Sequence, residues 1–417
     1  MRILVDPGSH HLLNAGDVAM TQVCVRRLQD LWPGVEIAVL TTDAAALAAL
    51  CPGVQPVDAT GRYALVDAAS EPHGSGPIFD PPGRGRVHPR LRRAARRRRA
   101  RRAGPAAVAY LDTLAGADLF AMGGRGGLTD AFADEARATL GELELARALG
   151  TPAVLLGQGV GPLEDARLLG RAAGVLPSIA LASVREGLLA PQLLASLGVP
   201  ADRIHVTGDD AVEPAHASRP AELGGAVGLN VRVASYSGVD GAAAEALTNA
   251  VAEAAAALGA ETVAVPISVH PDEDDRVALG AAVAGPSARA ASARGTVPGD
   301  PAPAIAAAGR CRVLVTGSYH AAVFALAQGV PAVAVAASPY YAGKFAGLAE
   351  LFGDGVAIVA GDAAAARAEL ERLWSAAPDL RRGLLAAAAR QVDAGRAAYR
   401  ALGDTLAVPA PPLPASA

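Results

Sequence analysis

Lysine is almost missing from this chain. Of its 37 lysine and arginine residues one, Lys344, is lysine and the rest are arginine. With arginine used wherever any cation serves, the single lysine marks a position that needs a compact ammonium. Cysteine is nearly as scarce: Cys24, Cys51 and Cys311 lie far apart and without metal-ligand spacing. That excludes a disulfide-stapled secreted scaffold and fits a reducing compartment. Aromatic residues make up 4% of the chain, so cores built mostly of Ala and Val must be thin and tightly packed. No apolar run reaches the roughly 20 residues of a membrane span. The first residues, MRILVD, enter a strand directly, with no apolar leader segment or cleavage site. The expectation is a soluble, cytoplasmic protein.

What the chain does have is 417 residues, 52% of them hydrophobic, enough for two domains with sizeable cores. The net charge of −4 hides one uneven stretch, because residues 83–102 (GRGRVHPRLRRAARRRRARR) hold eleven arginines and no acid. The plain reading of this insertion, 83–103, is a solvated surface arm. The functional alternative is a peripheral patch for an anionic surface such as membrane headgroups or a polyanionic glycan. Nucleic acid is not expected as a partner, since no aromatic residue interleaves with the arginines to stack bases. Nothing in the sequence specifies an oligomer.

Short apolar runs bounded by Gly, Pro or Asp alternate with longer Ala/Leu-periodic segments, the pattern of βαβ units and parallel sheets. Strands are expected at 2–6, 36–41, 117–122, 153–156, 179–184 and 205–207. Helices are expected at 18–32, 44–50, 134–149 and 188–197. A Pro/Gly/Ser-rich stretch near 212–225 then interrupts the periodicity. A second series follows, with strands at 226–231, 262–266, 312–315 and 332–335 and helices at 242–258, 276–282, 320–328 and, at the end, 364–402. The fold class is α/β: two Rossmann-like, doubly wound domains facing across a cleft. The first domain is 1–215, the linker 216–225, the second domain 226–405 and a frayed tail 406–417. Ligands of such sheets sit outside the carboxyl ends of the strands.

Candidate residues follow from that rule. Asn14 and Asp17 lie in NAGD between the first strand and a helix expected from about Val18, which makes Asp17 the expected N-cap. His10 and His11 adjoin this loop, but with no third ligand at fixed spacing no metal site is expected. Two glycine loops, Gly123, Gly124, Arg125 and Gly126 after one strand and Gly157, Gln158 and Gly159 after the next, can point backbone N–H groups at an anion. Neither matches a Walker A loop or the GxGxxG of dinucleotide binding. Arg185, at the end of ASVRE, can hold a carboxylate or phosphate through parallel N–H bonds. His320 falls in the first turn of a short helix after Gly317, where an imidazole facing a cleft serves as acid or base. Lys344 is expected in a loop, 339–345, at the same sheet edge.

Taken in order, NAGD, GGRGG, LGQGVGP, ASVRE, VTGDDAV, GLNVR and GSYHAAVFALAQGVP, with a lysine after the next strand, resemble the polysaccharide pyruvyl transferase family over about residues 3 to 352. The resemblance implies a two-domain, glycosyltransferase-B-like enzyme. Such an enzyme moves the enolpyruvyl group of phosphoenolpyruvate onto a sugar or glycan precursor, usually closing a ketal across two hydroxyls, with no metal or redox cofactor. It also implies that Arg185, His320 and Lys344 match the family's functional Arg, His and Lys. The sequence departs from the family in two places. Ser318 stands where members carry the arginine of R-x-H, and Arg125 interrupts a Gly-Gly-Gly turn, where it either restores a cation or points to solvent. Three readings follow: a pyruvyl transferase, in one form diverged to a small-molecule natural-product acceptor; a nucleotide-sugar glycosyltransferase on the same architecture; or a catalytically silent binding subunit.

Overall fold

The computed structural model describes residues 1–67, 89–234, 236–279 and 297–406. The first part of the basic insertion (83–88), the end of the helix expected at 276–282 and the tail beyond 406 lie outside the described residues.

Two all-parallel sheets organise the chain. The first holds seven strands in the order β3-β2-β1-β4-β5-β6-β7 and the second five in the order β12-β11-β10-β8-β9. In the first sheet these are β1 (Arg2–Asp6), β2 (Glu36–Thr41), β3 (Gln55–Asp58), β4 (Leu119–Met122), β5 (Ala153–Gln158), β6 (Ala182–Val184) and β7 (Ile204–Val206). In the second they are β8 (Ala226–Asn230), β9 (Thr262–Ala264), β10 (Cys311–Thr316), β11 (Ala332–Val335) and β12 (Val356–Val359). Strands covered on both faces read as continuous apolar runs, and their side chains divide by parity. Ile3 and Val5 enter one core layer and Leu4 the opposite one. Val313 and Val315 likewise face away from Leu314.

The strand order places the binding edge. In the first sheet the direction of winding reverses between β1 and β4, and in the second between β8 and β10. Loops leaving neighbouring strands at such a reversal diverge to opposite faces and open a crevice. The loops after β1, β4, β8 and β10 are therefore the ones the topology opens.

The sequence pattern missed β3 and β12, both edge strands. Gln-Pro-Val-Asp of β3 lacks an apolar run and carries a proline that only an edge tolerates. It also missed the helices Pro105–Gly116 and Ala166–Val175. Two local expectations are corrected. The first helix begins at Ala15 rather than about Val18, because the Asn14 side chain accepts the Gly16 and Asp17 N–H groups (3.0 and 3.3 Å). Asn14, not Asp17, is the N-cap. Lys344 lies not in a loop but in the helix Pro339–Phe352, which Pro339 opens in the first turn and Ser338 caps through the Tyr341 N–H. Gly343, which reads as a breaker, sits inside it.

The described part of the basic insertion is the helix Pro89–Ala103. Here Arg97 pairs with Asp112 (3.1 Å), Ala100 is buried, and Arg98, Arg101 and Arg102 are exposed. The final helix, Ala363–Thr405, runs past both sheets. Its Leu370 and Leu373 pack with the β8 and β10 side chains, whereas Tyr399 and Leu402 pack with Ile3 and Leu28. Between these ends, buried Arg27 binds Asp210 and Glu213, and Arg396 of the long helix also reaches Glu213 at 2.8 Å. One continuous helix thus belongs to the cores of both halves.

Candidate active site

A cavity of about 220 Å³ lies between the carboxyl edges of the two sheets. Asn14 and Asp17 reach it after β1, Arg125 and Gly126 after β4, and Arg185 after β6. From the second half come Arg232 after β8, Ser318, Tyr319 and His320 after β10, and Lys344 after β11. Both topological reversals therefore open onto one space.

His320 is placed by contact across the cleft. It sits in the first turn of the helix Tyr319–Ala327 and is 8% exposed. Its ring packs against Gly16 so closely that a Cβ there would lie 1.9 Å from its Cγ. Only glycine lets the first turn of one half meet the imidazole of the other. The His320 Nε2 faces Asp209 Oδ2 at 3.6 Å and has no hydrogen-bond partner among the described residues.

Asp209 joins His320 to Arg185. Its second oxygen accepts the Ala211 N–H at 2.8 Å, and Oδ2 lies 3.1 Å from Arg185 Nε. Burial pushes its pKa up, but Arg185 and His320 outweigh burial and hold it at about 2. Asp209 therefore stays a carboxylate, able to stabilise an imidazolium when His320 takes a proton. Arg185 is also held by the Gly157 carbonyl at 2.8 Å, and its guanidinium lies over the Tyr319 ring at 5.5 Å. Burial disfavours its charge, yet Asp209 keeps it protonated.

Lys344 is the contrasting cation. Its ammonium lies 4.4 Å from the Tyr340 ring centre and 5.4 Å from that of Tyr319, with no carboxylate within 4 Å among the described residues. Burial and the nearby Arg185 charge bring its pKa down to about 7, against the opposing pull of Asp17 and Asp209.

The remaining sequence candidates divide. The Ser318 hydroxyl has no hydrogen-bond partner among the described residues and lines the cavity, while Ser318 N–H is held by Thr316 Oγ1 at 2.8 Å. Arg125 neither supplies a free cation nor points to solvent. It is buried, and its guanidinium is taken by Glu135 (3.1 Å), Asp6 (3.8 Å) and the Thr139 hydroxyl. Gly126 lines the cavity, whereas Gly123, Gly124, Gly157, Gln158 and Gly159 lie behind it. There the two glycine turns lock together: Gly159 N–H donates to the Arg125 carbonyl (2.8 Å) and Gln158 Nε2 to the carbonyls of Met122 (3.1 Å) and Gly123. Their contribution is close backbone packing and a carbonyl that aims Arg185.

Sequence reasoning passed over three features. Arg232 lies at the end of GLNVR and lines the cavity, buried and held by Asp275 (2.8 Å from Nε). A Cβ on Gly317 would lie 3.3 Å from the Arg232 amide, so this arginine is the next-strand neighbour of the Ser318 turn. Asp209 stands in VTGDDAV, quoted for the family but given no role. Four of the seven tyrosines, Tyr236, Tyr319, Tyr340 and Tyr341, line the cavity, and Phe132 meets Tyr236 across it, edge to face at 5.1 Å. In a chain so poor in aromatics, the Tyr-Tyr pair three residues before the single lysine was the available signal.

A family model described as polysaccharide pyruvyl transferase matches residues 14–339. No curated protein matches the chain. Among solved structures, it is similar to the UDP-GlcNAc 2-epimerase of Neisseria meningitidis bound to UDP-GlcNAc, with a TM-score of 0.56 and 9% identity over 96% of this chain and 99% of that one. The UDP-GlcNAc 2-epimerase of Methanocaldococcus jannaschii gives a TM-score of 0.51 at 10% identity over 89% and 91%. A UDP-glucose:anthocyanidin 3-O-glucosyltransferase in complex with UDP gives 0.53 at 12% identity over 97% and 98%. At such identities these likenesses show the shared two-domain, Rossmann-like fold alone.

Proposed function

The chain belongs to the polysaccharide pyruvyl transferase family, and on that premise we propose that it transfers the enolpyruvyl group of phosphoenolpyruvate to a pair of hydroxyls on a sugar or glycan precursor, closing a pyruvate ketal. The observation that carries the reading is the meeting of several basic side chains and one imidazole in a single small cavity, Arg185, Arg232, Lys344 and His320 among them. Phosphoenolpyruvate bears a carboxylate and a phosphate on a three-carbon frame. Preorganised charges of opposite sign on several sides of so small a space match that distribution better than one cation could.

Ser318 stands where the family arginine would, and Arg232 enters the same cavity from the neighbouring strand. His320 accepts the proton of the attacking hydroxyl, and Asp209 stabilises the imidazolium so formed. The half-buried faces of Phe132 and Tyr236 supply an apolar wall for the C–H face of a pyranose. The overall reaction balances without a redox carrier: two hydroxyls lose protons, one proton reaches the methylene carbon and the other leaves with phosphate. Glycosyl transfer from a nucleotide sugar has only the shared fold in its favour.

The test is phosphate release from phosphoenolpyruvate in the presence of candidate diols. Release that depends on acceptor and is lost in His320→Ala supports the reading. Equal release from that variant removes His320 from the chemistry.

A further inference from the structure

Resting on that reading, we infer that Lys344 is the general acid that protonates the methylene carbon of the enolpyruvyl group, rather than a fixed cation for the donor's anionic groups. The other arginines in the cavity each have a carboxylate within salt-bridge distance: Arg185 has Asp209, Arg232 has Asp275 and Arg125 has Glu135. Lys344 has none among the described residues and lies instead against the faces of Tyr319 and Tyr340 and the Gly126 backbone. A group meant only to hold negative charge gains from a planar, permanently charged head such as the one this chain uses everywhere else. An acid must be able to lose its proton, and arginine does not.

The charged groups acting on Lys344 point the same way. Arg185 and Arg232 repel its charge from the ends of β6 and β8. Asp17, on the first helix, and Asp209, after β7, favour it. The flanking phenols of Tyr319 and Tyr340 are themselves pushed well above their ordinary pKa by burial, so they stay neutral and give no counter-ion. Burial dominates this balance, and the ammonium becomes acidic enough to give up its proton near neutrality.

Atoms and electrons balance in two stages. In the first, an Nζ–H bond of Lys344 breaks and a C–H bond forms at the methylene carbon. The first acceptor oxygen bonds to C2 as its proton passes to His320. In the second, the other acceptor oxygen bonds to C2 and the C2–O(phosphate) bond breaks, its electron pair leaving on phosphate. The imidazolium then gives its proton to phosphate, and the second hydroxyl's proton returns to the Lys344 amine. Both side chains end as they began.

The decisive variant is Lys344→Arg, which keeps a cation and removes the transferable proton. Phosphoenolpyruvate binding, read by calorimetry, is expected to be retained, while kcat falls by about 10²- to 10⁴-fold. Because arginine is longer than lysine, Lys344→Ala serves as the second test. Its activity is expected to return with small primary amines, at a rate that follows the pKa of the added amine, and not with guanidinium. Wild-type turnover matched by Lys344→Arg, or rescue of Lys344→Ala by guanidinium as good as by amines, overturns the inference and leaves the functional reading standing. A wild-type chain that neither binds nor consumes phosphoenolpyruvate overturns both.

Discussion

Replacing Gly16 by alanine adds one methyl group at the meeting point of the two halves. The new Cβ would lie 1.9 Å from His320 Cγ, 2.1 Å from Nδ1 and 2.5 Å from its Cβ, whereas ordinary contact begins at 3.4 Å. The imidazole or the first turn of the helix Ala15–Leu31 must therefore retreat by about 1.5 Å to restore normal contact. Overpacking of this kind costs about 1–3 kcal/mol, and the better helix propensity of alanine returns at most about 1 kcal/mol. The expected net destabilisation is about 0–3 kcal/mol, and the chain stays folded. Activity should suffer far more, because misplacing a reacting group by about 1 Å costs on the order of 10²-fold in rate. The assay pairs urea denaturation with acceptor-dependent phosphate release. Gly170→Ala is the control: it lies in the helix Ala166–Val175 with nothing within 4 Å of an added Cβ, and it should alter neither reading for the worse. A Gly16→Ala variant with undiminished kcat would refute the placement of His320 as the group whose position governs catalysis.

Three further outcomes are expected. Asp209→Asn removes the charge shared by Arg185 and His320, so kcat should fall by about 10²-fold. Because the native carboxyl titrates at about 2, acid loss of wild-type activity above pH 4 should not come from Asp209. Lys344 titrates at about 7 in the fold and near 10.4 when unfolded, so between those values the unfolded chain binds the extra proton and stability rises with pH. Urea midpoints at pH 7 and pH 9.5 should show that rise in wild type and a smaller one in Lys344→Met, and identical slopes would contradict the burial of its charge. The thiols of Cys24, Cys51 and Cys311 are buried and pushed up to about 12, 11 and 12, so the native protein should show no fast-reacting thiol at pH 8 in a disulfide-exchange titration.

Much of the fold was legible because buried parallel strands leave unbroken apolar runs, as in RILVD and CRVLVT, and glycines mark where they end. The edge strand β3 leaves no such trace, because Gln-Pro-Val-Asp holds no apolar run, and so it was lost. Within the site, Asn14, Arg185 and His320 could be found because each lies between the end of a strand and the first turn of the next helix, and position alone puts them at the cleft. Arg232 meets the same condition. It went unnoticed among so many arginines because nothing local separates a cavity-lining guanidinium from a surface one. Arg125 shows the converse: a glycine-flanked arginine in the right loop whose charge is consumed by Asp6, far away in sequence, and by Glu135 of the following helix. Asp17 was misjudged as a cap because Asn14, three residues earlier, accepts the Gly16 and Asp17 N–H groups and starts the helix at Ala15, which leaves Asp17 inside the first turn and lining the cavity. The departure at Ser318 could be seen in sequence, but its nearness to Arg232 belongs to the packing of β8 beside β10.

The central claim is that the cleft is built for phosphoenolpyruvate. Isothermal titration of the full chain with phosphoenolpyruvate, and separately with UDP-sugars, tests it most directly. The account expects one phosphoenolpyruvate per chain, with binding weakened in Arg185→Gln, and no heat from UDP-sugars. Binding of a UDP-sugar with none of phosphoenolpyruvate would contradict it.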